Sequence, residues 1–158
     1  ISFKMPDGLV RWFWYMTYTV TNSTDRERLF IPEITIATDE GDIIPAGRGV
    51  PPGVFEAIKA RLENDLLESP IQVVGKLLRG SDNAKESVAT WPATEHDIDL
   101  ISIFVAGLSG ETTVVENPVT KDPVLMTRTL MLDIALPGDP PNPQSQAILP
   151  KGKRWVMR

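Results

Sequence analysis

Arg11-Trp12-Phe13-Trp14-Tyr15-Met16-Thr17-Tyr18-Thr19-Val20-Thr21-Asn22 is the stretch on which the fold turns. Aromatic and β-branched side chains dominate it, and strand periodicity sorts them into two faces. Trp12, Trp14, Met16, Tyr18 and Val20 fall on one face, and Phe13, Tyr15, Thr17 and Thr19 on the other. A helix would scatter the same residues around its axis, so the stretch reads as a long β-strand. The polar run Asn22 to Arg28 then predicts a turn, and Leu29 to Thr38 a second strand, so that the two pair as an antiparallel hairpin. With Trp12, Trp14 and Tyr18 assigned to the core, Phe13 and Tyr15 are expected on the outer face.

Outward from this centre, Ile1 to Met5 reads as a first strand that enters through the turn Pro6-Asp7-Gly8. Ile43-Ile44-Pro45 is a short return strand. One helix stands out over about 54–67, with Pro52 near its start and Val54, Phe55, Ile58, Leu62 and Leu66 at helical spacing. Ser69-Pro70 ends it. Further strands are expected over 71–78, 85–91, 98–106, 111–116 and 124–136, with Lys153 to Arg158 closing the chain. Residues 98–106 are apolar on both faces and belong near the centre of a sheet. Proline-rich 137–146 predicts an exposed loop. About eight short strands with turns between them and one helix indicate a mainly β chain, a single-domain antiparallel β-sandwich over 1–158 with one inserted amphipathic α-helix.

Composition narrows the function classes. The chain has 158 residues, a net charge of −5, no cysteine and one histidine. Its basic residues are dispersed among acids, which argues against nucleic acid as a partner. No apolar run is long enough to span a bilayer. Without cysteine there is no disulfide framework, thiol nucleophile or thiolate metal site, and one histidine cannot build a multi-histidine site. No cofactor is expected. The start at Ile1 rather than Met predicts a leader, anchor or upstream segment ahead of it.

Tyr15-Met16-Thr17-Tyr18-Thr19-Val20-Thr21-Asn22, then Leu29-Phe30-Ile31-Pro32 and Ile34 to Gly41, resemble the small exported immunoglobulin-like domains of bacterial envelope proteins. In those domains a strand ends in valine, any residue and asparagine, a polar turn follows, and the next strand finishes in an acidic-glycine turn. The resemblance covers about the first third of the chain. It implies an immunoglobulin-like β-sandwich placed outside the cytoplasm, periplasmic or at the cell surface, that binds or scaffolds. It supplies no catalytic residue.

Candidate sites are few. Phe13, Tyr15, Trp91 and Trp155 are the candidate contacts for a ligand or partner, since aromatic faces stack on sugars and anchor interfaces. Asp39, Glu40 and Asp42, and Glu95, His96, Asp97 and Asp99, are clustered oxygen donors, yet neither group has the spacing of a calcium loop. Ser109 in Gly-Leu-Ser-Gly lacks a spacer residue of the nucleophile elbow, and His96 would be its sole base. Asn22-Ser23-Thr24 is a formal glycosylation acceptor. The expectation is therefore a non-catalytic structural or protein-interaction subunit of a bacterial cell-envelope assembly, with protein partners in a membrane-associated complex. The alternatives are a carbohydrate-binding or other ligand-binding module, or an accessory domain of an enzyme complex.

Overall fold

The computed structural model describes residues 1–93, 98–136 and 148–158. The chain is mainly β, with antiparallel sheets and, among the described residues, one α-helix, as the sequence indicates. The described residues divide into two compact units, one of 1–31 and 44–93 and the other of 32–43, 98–136 and 148–158. The proline-rich segment and the Glu95-His96-Asp97 cluster lie outside the described residues.

In the first unit, the aromatic stretch forms β2 (Val10–Val20), flanked by β1 (Ser2–Lys4) and by β7 (Lys85–Pro92), both antiparallel. Gly8, at φ 87, closes the β1–β2 turn, and the Asp7 carboxylate accepts the Leu9 N–H at 3.0 Å. Helix α1 (Pro52–Leu62) lays Val54 and Ile58 onto Phe13, Leu67 and Val88. Each of these buried side chains contributes about 1.5–3 kcal/mol of apolar transfer, far more than helix propensity can supply. The helix stops at Leu62 rather than near Leu67, because Glu63 turns left-handed at φ 49 and its N–H closes onto the Ala60 and Lys59 carbonyls. Leu66 is consequently exposed while Leu67 enters the core.

The expected hairpin between the aromatic strand and Leu29–Thr38 does not form. Arg28–Phe30, strand β3, stays in the first unit and pairs with β6 (Gly75–Leu77), so most of the strand expected over 71–78 is irregular. Glu33–Thr38, strand β4, belongs to the second unit. Pro32, between the two, has no N–H with which to continue a ladder. Phe30, Val73 and Leu77 make a second small core against Tyr18 and Val20. Strand β2 thus has apolar cover on both faces: Phe13 and Tyr15 towards the helix, Tyr18 and Val20 towards this cluster.

The second unit holds a sheet with β8 (Leu100–Ala106) between β4 and β10 (Pro123–Ala135). Strand β11 (Gly152–Met157) lies beyond β10, and the short strand β5 (Ile43–Pro45) falls where the chain passes from the residues of the second unit to those of the first. The central place of β8 is as its apolar character predicts. Ile101, Ile103 and Val105 are buried, with Thr38, Ile36 and Ile34 opposite them on β4. The other face of β8 is only half covered, with the Arg158 guanidinium 4.3 Å from the Phe104 ring centre. Beyond Ala106, the chain kinks through Gly107 at φ 82 and enters β9 (Thr112–Glu116), which pairs with the first half of β10.

Candidate functional site

Of the four aromatic residues nominated from sequence, Phe13, Tyr15 and Trp91 belong to the first unit and Trp155 to the second. Phe13 is 2% exposed and sits beneath α1, which reverses its expected outward placement. Strand periodicity divides the two faces correctly, but both are aromatic, and the helix decides which one is buried first. Trp12 emerges instead, at 38% exposure. Tyr15 is half-buried against the same core as Phe13. Trp91 is 2% exposed and pairs with Trp14 on the opposite face of the sheet. Neither Phe13 nor Trp91 presents a ring to a ligand. Trp155 does: it is 44% exposed, with Arg128 4.8 Å from its ring centre. Arg128 is held in turn by the Glu111 carboxylate at 2.7 Å.

The other sequence candidates resolve into structural roles. Asn22 is 4% exposed. Its side-chain amide donates to the Arg26 and Leu77 carbonyls at 2.8 and 2.9 Å, and its oxygen accepts the Thr24 N–H and hydroxyl. A glycan cannot attach to an amide so enclosed. The Asp39 carboxylate accepts the N–H groups of Asp99 and Leu100, splicing a turn to the start of β8. Among the described residues, no three acidic or histidine side chains converge on a metal-sized space. Ser109 accepts the Glu111 N–H within the kink between β8 and β9.

A shallow depression of 370 Å³ in the first unit is lined by Thr17, Tyr18, Thr19, Leu62, Leu67, Asn64 and Glu86. Its acid, Glu86, already accepts the Asn64 amide at 2.7 Å. Burial raises the Tyr18 pKa at its rim above the ordinary tyrosine value; the Ser87 hydroxyl pulls the other way, and the Glu68 charge adds to the rise. The depression is too open and too internally satisfied to hold a small molecule closely.

Strands β9 and β10 make the feature that stands out. From Thr112 to Leu125 every residue except Asn117 is exposed, so the pair forms a two-stranded arm. Val114, 64% exposed, lies opposite Leu125, 63% exposed, on one face, and Val115 lies opposite Val124 on the other. The tip is well built. The Asn117 side chain accepts the Val119 and Thr120 N–H groups, Lys121 adopts a left-handed conformation at φ 66, and Lys121 pairs with Glu116 at 3.2 Å. The Arg128–Glu111 pair locks the base. Sequence reading found both strands and their turn but missed the exposure, because alternation cannot show whether a third layer covers a ribbon.

No protein-family model matches the chain, and no curated protein and no solved structure shows significant similarity to it.

Proposed function

We propose that this chain is a structural or protein-interaction subunit of a bacterial cell-envelope assembly, acting outside the cytoplasm without catalysis of its own, and that the β9–β10 arm is its contact with a protein partner. The observation that carries this reading is the arm's apolar cover on two solvent-exposed faces. A two-stranded ribbon in water is marginal by itself, and isolated aliphatic pairs on both of its faces gain most by entering a groove. Ordered caps at tip and base keep the arm extended before it meets a partner, which lowers the ordering cost of binding. The resemblance of the first third of the chain to exported immunoglobulin-like domains supports the envelope location. No helix among the described residues is long and apolar enough to cross a membrane.

The test is affinity capture of the native protein from gently solubilised envelopes, comparing the wild-type chain with a Val114→Glu, Leu125→Glu variant. A stoichiometric partner whose binding the variant weakens by about thirtyfold or more is expected, since charging a central apolar anchor removes about 2 kcal/mol or more of binding. Unchanged circular dichroism would show that the fold survives. Recovery of the wild-type chain alone, without any partner, would overturn the reading.

A further inference from the structure

The second unit exposes two unpaired backbone edges on the same long strand's neighbours: β9 and β11 each pair only with β10 among the described residues. The hydrogen bonds say which residues face outward. Arg128 N–H donates to the Glu111 carbonyl and Asn117 N–H to the Asp122 carbonyl, so the odd-numbered residues of β9 face β10. Thr112, Val114 and Glu116 therefore turn their N–H and C=O groups away. On the other side, Thr127 and Arg158 exchange both backbone bonds, at 2.7 and 3.1 Å. Lys153, Trp155 and Met157 are accordingly the outward residues of β11.

We infer that β9 of one copy of this chain adds antiparallel to β11 of a second copy, pairing Thr112 with Met157, Val114 with Trp155 and Glu116 with Lys153. This inference rests on the reading of the β9–β10 arm as an interaction element and gives it a partner. Outward residues meet outward residues in this register, so the three pairs supply about six backbone hydrogen bonds. Charge favours this register. Glu116 falls opposite Lys153, both exposed, while Glu111 stays with Arg128, and Arg158 stays over Phe104 and on the Thr35 hydroxyl of its own copy. A slip of two residues, the smallest that keeps the hydrogen bonding, sets Glu116 opposite Trp155 or Lys151 and moves Val114 off Trp155. Val114, meanwhile, meets the one nominated aromatic residue that is substantially exposed.

The symmetric alternatives are poorer. Two β9 edges would pair Val114 with Val114 and gain no ionic attraction, while two β11 edges would bring Lys153, Arg154 and Arg158 of both copies together. Within Thr112–Glu116, β9 carries no proline, lysine or bulge, the usual protection of an edge, whereas β5 is three residues long and ends in proline. A β9-to-β11 contact is head-to-tail, so it grows into a ring or a filament rather than stopping at a dimer.

Sedimentation of the 158-residue chain over a wide concentration range tests this. Wild type is expected to associate beyond a dimer, and Val114→Pro to remain monomeric, because its lost N–H points outward and supports no internal bond. Glu116→Lys and Lys153→Glu should each weaken association about tenfold, and an equimolar mixture of the two should regain wild-type strength. These exposed charge variants keep the test valid if the proline variant misfolds. Wild type that stays monomeric throughout, or association indifferent to Lys153→Glu, would overturn the inference. Monomeric protein that still captures an envelope partner through Val114 and Leu125 would sink this inference alone and leave the proposed function standing. Self-association with no captured partner would do the reverse.

Discussion

Phe13 and Trp12 are neighbours with opposite fates, and the difference is measurable. Phe13 fills the space under Val54 and Ile58, so Phe13→Ala removes a buried ring and leaves a cavity; a loss of about 3–5 kcal/mol is expected. Trp12→Ala, at a third-exposed site, should cost about 1 kcal/mol or less. Urea unfolding of both variants checks the assignment, and equal losses would contradict it. Tyr18 offers a second test at the same scale. Burial, partly offset by Ser87 and reinforced by Glu68, raises its pKa. The folded chain therefore holds the phenolic proton more tightly than the unfolded chain. That stability is fully present below the unfolded value of about 10 and is lost as pH rises through the folded value. The chain has two tyrosines, so alkaline absorbance titration of Tyr15→Phe isolates Tyr18. Its midpoint should lie above 10, and a midpoint at or below 10 would refute the effect.

Helix α1 shows how one residue can end an element that periodicity would extend. The apolar spacing runs on to Leu66, yet Glu63 takes a left-handed conformation that an L side chain adopts at a cost of about 1–2 kcal/mol. The turn that follows is worth this strain. Asn64 accepts the Leu66 N–H, the Lys59 ammonium reaches the Asp65 and Leu67 carbonyls, and Leu67 drops into the core beside Phe13. Glycine at position 63 would shed the strain while losing about 0.5–1 kcal/mol of backbone entropy. Glu63→Gly should thus stabilise the protein by about 0.5–1 kcal/mol, seen as a higher urea midpoint with an unchanged slope. A lower midpoint would mean that the Glu63 side chain contributes more than its backbone strain costs.

Across the molecule, the sequence made individual strands legible and their partners less so. Residues 10–20, 85–92, 100–106 and 123–135 declare themselves by alternation or apolar density, and the Pro6-Asp7-Gly8 turn correctly joins β1 to β2. Sequential pairing fails at Pro32, where Phe30 remains with β6 while Ile34 and Ile36 join β8; the side chains on either side are equally apolar, so pattern alone cannot choose. The candidate surface was legible to the same degree, as two strands and a turn, with its double exposure hidden. Hydrogen exchange puts that exposure to a direct test. In dilute protein the Ile103 amide, in the strand between β4 and β10, should be among the slowest of the second unit. Val114 and Glu116, whose N–H groups face away from β10, should exchange close to the free-peptide rate, and Thr113 and Val115, bonded towards β10, should be slower. Raising the protein concentration should slow Val114 and Glu116 together with Trp155 and Met157, because one strand addition covers all four. Protection of Val114 already present in dilute monomer would mean that the β9 edge is closed within the chain, and both the arm and its partner would have to be abandoned.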